Sequence, residues 1–130
     1  VFGPNLGIIS DVGSSWFVPN LIGRARANGM GLLGDDISSQ QAKDWGLIWD
    51  TAADEELLAK SIEIAERLAN GPIDGLKAIV KAHDNALSVS LNEQLDYERD
   101  TQEVLLDKKE FKEGVSAFVG KRKPNFRDLS

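Results

Sequence analysis

Cysteine is absent from the 130 residues, and histidine, methionine and tyrosine occur once each. Without cysteine there is neither a disulfide framework nor a thiolate metal site. With His83 as the lone imidazole, a histidine-based zinc centre is not expected, so we assign no metal. No apolar run reaches the length of a membrane span, and no basic-then-apolar start marks a signal peptide. A cytoplasmic protein without a membrane partner is therefore expected. Excess positive charge is also missing. The formal net charge is −6, whereas a nucleic-acid surface needs clustered Lys and Arg. The one dense basic run, "GKRKPNF", is short, so no nucleic-acid partner is expected. We find no internal repeat and no low-complexity linker.

What is present is ordinary for a folded chain: 42% apolar and 28% charged residues in a length that suits one domain. The chain opens at Val1 and enters a segment broken by Gly3 and Pro4 without a capping signal. We expect polypeptide upstream of such a start, although a processed start would look the same.

Helical periodicity dominates the rest. Ser14 or Ser15 can cap a short helix over Trp16–Ile22, with Pro19 inside it and Gly23 closing it. "RARANGMGLL" reads as a second helix weakened by Gly29 and Gly31. "SSQQAKDWG" carries the capping-box spacing from Ser38 to Gln41 and stops at Gly46. "LIWDT" is short, β-branched and aromatic, a small strand or an extended connector.

Beyond it the helices are better marked. In "DEELLAKSIEIAERLANG", Leu58, Ile62, Ala65 and Ala69 recur at helical spacing behind an acidic first turn. Leu76, Ile79, Val80, His83 and Leu87 form a stripe after Pro72, which places His83 at a packed surface or interface. "SLNEQLDYERD" begins with a second capping box, Ser90 to Glu93. Phe111, Val115 and Phe118 share a face of a last helix that ends before Pro124. Glu98 and Arg99 suit either an ion pair between helices or a solvated face. The fold class is mainly α, with at most one short strand.

The chemistry-bearing stretch is "GIISDVGSSW". Asp11 precedes a serine-capped helix start, whose free N–H groups favour an ionised carboxylate. Ile8, Ile9, Val12 and Trp16 would oppose that by desolvation. A carboxylate between such influences is poised for proton transfer. An aspartate before a glycine is also a common turn residue.

The wider string "LGIISDVGSSWFVPNLIGRARANGMGLLGDDISSQQAKDWGLIW" resembles the second half of the enoyl-CoA hydratase/isomerase, or crotonase, superfamily. Leu6, Gly7, Ile8, Ile9, Asp11, Gly13, Pro19, Gly23, Gly34, Ala42, Gly46 and Leu47 fall on that family's pattern. The tail "KEGVSAFVGKRKPNF" resembles its C-terminal "EGxxAFxxKRxPxF", so the likeness runs from Phe2 to Phe126. Within the family, "GRARANGMGLLG", "QQAKDWGLIW", "QLDYERD" and "EGVSAFVGKR" most resemble the ring-1,2-epoxyphenylacetyl-CoA isomerases.

The resemblance implies the helical C-terminal half of a crotonase-like ββα spiral. Residues 1–23 would form an active-site loop and helix, and residues 24–130 an oligomerising, CoA-contacting region. Asp11 would be the catalytic acid–base, at a position where hydratases carry glycine. The hydratases' glutamate is replaced by Gly3, so proton shuttling is favoured over water addition. Trp16, Phe118 and Lys121 would bind substrate, the Phe118 ring near adenine and the Lys121 ammonium near phosphate of a neighbouring subunit's CoA. Phe118 as core and Lys121 as a solvated charge are the plainer alternatives. The resemblance implies no cofactor beyond the CoA thioester as substrate, and a homo-oligomer, trimer or hexamer. It also implies that both N–H donors of the oxyanion hole lie in the family's first half. Ser10, Ser14 and Asn20 depart from the family's proline, glycine and arginine. A stand-alone helical oligomerisation module and an enoyl-CoA hydratase-like enzyme are the competing readings.

Overall fold

The computed structural model describes residues 3–129; Phe2, where the resemblance begins, lies outside the described residues. Among the described residues eight helices follow one another: α1 (Gly3–Leu6), α2 (Ser14–Ile22), α3 (Arg24–Leu33), α4 (Ser39–Trp45), α5 (Asp54–Ala69), α6 (Ile73–Ala86), α7 (Leu91–Leu106) and α8 (Lys109–Val119). There is no strand among the described residues. "LIWDT" is a bend and an irregular connector: it is short, and no second extended segment is present to pair with it. The chain divides into two compact units, residues 1–57 and 58–130.

In the first unit α1 is a single turn that tolerates Pro4, since an N-terminal turn leaves its N–H groups unpaired in any case. Helix α2 begins differently from expectation. Its N-cap is Gly13, not a serine. The Ser14 hydroxyl donates backward to the Asp11 carbonyl oxygen at 2.5 Å, so it does not accept from a forward N–H. Gly13 sits at φ 78°, and a Cβ there would meet the Phe17 ring at 2.9 Å. Both facts require glycine. Helix α4 starts where expected, with the Ser38 hydroxyl accepting from the Gln41 N–H at 3.1 Å. Arg26 ties α3 to α4, its guanidinium 5.5 Å from the Trp45 ring centre. Ile22 and Ala42 are the buried apolar side chains of this unit.

The second unit is organised by polar contacts at helix ends. Ser90 and Glu93 complete both halves of the capping box on α7. The Ser90 N–H and hydroxyl, donating to the Glu93 carboxylate, hold its pKa below the usual carboxylate value. Between α6 and α7, Gln94 is 9% exposed. Its amide donates to the Ala82 carbonyl at 3.2 Å and accepts from Asn85 at 2.9 Å. This satisfied polar group fixes the α6–α7 register. Glu110 of α8 accepts from the Asp74 N–H at 3.2 Å. A carboxylate thereby reaches the N-terminus of α6 from another helix. Arg99 pairs with Asp96 and Asp100 of its own helix in the open; among the described residues it forms no pair between helices, because its acidic neighbours one and three residues away are nearer.

The apolar stripes are as amphipathic as their spacing suggests, yet most are uncovered. Leu58, Ile62, Ile79, Val80, Phe111 and Val115 are all exposed, and so is His83. These helices present apolar faces that the described residues of their own unit leave uncovered.

Candidate functional site

Asp11 lies in the turn before α2. Its backbone oxygen accepts from the Ser14 N–H at 3.0 Å, which leaves the carboxylate outside the helix start. That carboxylate accepts no hydrogen bond from the described residues and is exposed. The expected desolvation is not supplied by the side chains around it. Ile9 is 85% and Val12 91% exposed, and Ile8 and Trp16 are also open, so none of them excludes water from the acid. Val12 has φ 53°, a left-handed conformation that a β-branched residue rarely adopts. Trp16 stands in the first turn of α2 with more than half of its surface free. The turn therefore offers an unengaged carboxylate beside an unengaged aromatic ring. Asn20, where the family pattern has arginine, is used locally, its amide donating to the Trp16 carbonyl at 2.9 Å.

Phe118 and Lys121 belong to the other unit, at the end of α8. Phe118 is 85% exposed, so the core alternative does not hold. It edges an apolar groove of about 400 Å³ whose walls include Leu105, Phe111, Val115 and Phe126. Lys121 is exposed and carries no ion pair among the described residues. Its N–H donates to the Phe118 carbonyl at 3.2 Å, which keeps ring and ammonium on consecutive turns. Beside them Glu113 accepts both guanidinium N–H groups of Arg122, at 2.6 and 2.9 Å. The Asn125 N–H adds a third bond to it at 2.7 Å. Arg122 and Asn125 together bring the Glu113 pKa down to about 2. Glu113 and Arg122 both stand in the tail motif, but helical spacing gives no sign that they pair, because residues nine apart across a helix end share no helical face. Among the described residues no group of three or more acidic or histidine side chains could hold a metal ion. None of the described helices is long and apolar enough to cross a membrane.

The profile of the enoyl-CoA hydratase/isomerase family matches residues 2–129. The chain belongs to that family. Its relatives in it include the 1,2-epoxyphenylacetyl-CoA isomerase of Escherichia coli K12, 44% identical over 121 residues, which are 93% of this chain and 46% of that protein. The 2,3-dehydroadipyl-CoA hydratase of the same organism is 30% identical over 94% of this chain and 48% of its own length. Among solved structures, the enoyl-CoA hydratase from Bacillus anthracis aligns with a TM-score of 0.87 at 36% identity, over 95% of this chain and 48% of that one. An enoyl-CoA hydratase from Polaromonas sp. JS666 aligns at 0.91 and 31% identity, over 97% and 49%. The chain thus spans about half the length of the enoyl-CoA hydratase/isomerase relatives it matches. Within that span the fold is the helical one expected of the crotonase family.

Proposed function

We propose that this chain is the helical, C-terminal portion of an acyl-CoA isomerase of the 1,2-epoxyphenylacetyl-CoA isomerase type, acting in phenylacetate breakdown in the cytoplasm. The single observation that carries the reading is an exposed, unengaged carboxylate, Asp11, at a glycine position of the hydratase pattern. A glycine cannot move a proton; an aspartate can. In this mechanism Asp11 removes a proton from carbon near the thioester and returns it elsewhere. The enolate formed meanwhile is held by an oxyanion hole, whose loss typically costs 10²–10³ in rate. The hole's donors belong to polypeptide equivalent to the family's first half. Without it Asp11 has no partner for the developing charge, so the chain alone is an incomplete catalyst. Residues 1–23 supply the acid–base turn with Trp16 against the acyl group. Residues 24–130 supply oligomer contacts, in a trimer or hexamer, and the CoA contacts of Phe118 and Lys121. Lysine acts there as a point charge on phosphate.

The uncovered apolar faces favour a second reading, a helical oligomerisation module with no chemistry of its own. One experiment separates the two. The purified chain is incubated with an enoyl-CoA in deuterium oxide, alone and with the first half of a relative supplied. Deuterium entering carbon near the thioester, and lost in Asp11→Asn, is the expected result. Exchange that persists in Asp11→Asn removes Asp11 from the mechanism. Trimers without any exchange in either mixture establish the module. Net water addition would instead favour the hydratase.

A further inference from the structure

The end of α8 is built in an unusual way. The Arg122 N–H donates to the Ala117 carbonyl at 3.0 Å, and the Lys121 N–H to the Phe118 carbonyl at 3.2 Å. That pair of bonds is the Schellman closure of a helix, in which the residue just past the cap turns left-handed and is normally glycine. A glycine is available at position 120, yet it keeps the ordinary φ of −77°. Lys121 takes the left-handed φ of 48° instead. A lysine meets a steric penalty there that glycine would avoid, and such strain persists only where the surroundings over-determine it.

The surroundings do so. Glu113 is only 14% exposed at its side chain, and it grips the guanidinium of Arg122 in a two-pronged pair. Arg122 also donates to the Ser116 hydroxyl at 3.2 Å and to the Lys123 carbonyl at 3.2 Å. Glu113 then reaches across to the Asn125 N–H. The anchor beneath is Ala117, 1% exposed. Of the three consecutive cations, Arg122 is taken up by the turn itself. Lys121 and Lys123 keep ammonium groups without an ion pair among the described residues. A solvated charge would need no such construction.

We propose that Glu113, acting through Arg122, is a positioning residue that holds Lys121 in its left-handed turn and presents the ammonium to a phosphate of a CoA-type ligand. This rests on the reading of the tail given above. Glu113 does not touch the ligand; it fixes where the charge stands.

The test uses the full chain, with free coenzyme A as probe in titration calorimetry. Lys121→Ala is expected to weaken affinity about tenfold at low salt, with the loss shrinking as salt rises. Glu113→Gln is expected to weaken it several-fold, and the double variant to bind no more weakly than Lys121→Ala alone, since the two act in series. Additive losses overturn the positioning role. Lys121→Gly gives a readout of opposite sign: it relieves the turn, so the urea midpoint should rise while affinity falls. A lowered midpoint overturns the strain. Amide exchange should quicken across residues 120–126 in Glu113→Gln and stay unchanged across α7. Arg122→Lys, which cannot form the two-pronged pair, should reproduce that pattern if Glu113→Gln folds poorly. Unchanged exchange at 120–126 in both variants overturns the clamp. Coenzyme A affinity that is absent, or indifferent to Lys121→Ala, overturns the tail reading instead, while exchange and urea still judge the clamp.

Discussion

The turn at Asp11 and the turn at Lys121 each display a charged side chain in a tight bend beside a helix end, yet they are supported in opposite ways. Around Lys121 the support is internal: a carboxylate, a guanidinium and an amide N–H lock the bend from within. Around Asp11 the bend is held by backbone and Ser14 bonds, and the carboxylate engages none of the described residues. Its apolar neighbours face solvent. A contact that needs only a point charge can be assembled by one helix end. A group that must exchange a proton with carbon needs water excluded and a second charge-stabilising partner, which one turn cannot supply.

The largest effect that could break this contrast is kinetic. Asp11→Asn should lower proton exchange on the thioester by about 10²–10⁴ where the other half is supplied. The urea midpoint should not move, because the carboxylate holds nothing in place; a lower midpoint would mean Asp11 is structural. Gln94→Ala touches neither turn's hydrogen bonds and calibrates how firmly the second unit is tied. It leaves the amide of Asn85 without its partner and removes the side-chain bond to the Ala82 carbonyl, and should cost about 1–3 kcal/mol in urea unfolding. Gly13→Ala tests the bend at Asp11 directly. A Cβ in that left-handed conformation should cost about 1–2 kcal/mol, and more if the Phe17 ring cannot yield.

The bend at Lys121 has its own pH signature. Glu113 titrates near 2 when folded, against 4.5 ordinarily, so its contribution is complete above pH 4.5 and is lost as pH falls toward 2. Amide protection at 120–126 should therefore be level from pH 7 to about 5 and decline below that. Glu113→Gln should flatten the profile. The smallest effect is no effect at all. Arg99→Ala removes two ion pairs that stand in solvent, and the urea midpoint should stay where it is.

Local signals were the readable ones. Ser38, Ser90 and Glu93 act within three residues of chain, so their spacing alone announces the starts of α4 and α7. The helical stripes were equally plain in periodicity, but periodicity says only that a face is apolar, not what lies against it. That is why Phe118 could be taken for core. At Gly13 the cap went to glycine because the backbone is left-handed there and the Phe17 ring, one turn on, fills the space a Cβ would need, a steric reason that the serine-capping signal does not carry. Glu113 and Arg122 both stand in the tail motif, but their pairing was hidden: it spans a change of direction, and helical spacing stops counting where the helix stops. Asp11 was legible as chemistry, through a residue type standing where hydratases have none, and not through its surroundings.

The α6–α7 pair carries a consequence for how the chain acquires its shape. Asn85, Gln94 and Ala82 meet across a connection of four residues, so bringing them together sacrifices little freedom of the intervening backbone. Short-range closure of this kind is fast. This hairpin should be the earliest segment to gain amide protection in a quenched-flow refolding experiment, ahead of the α8 terminus. It would then serve as the seed on which later helices condense.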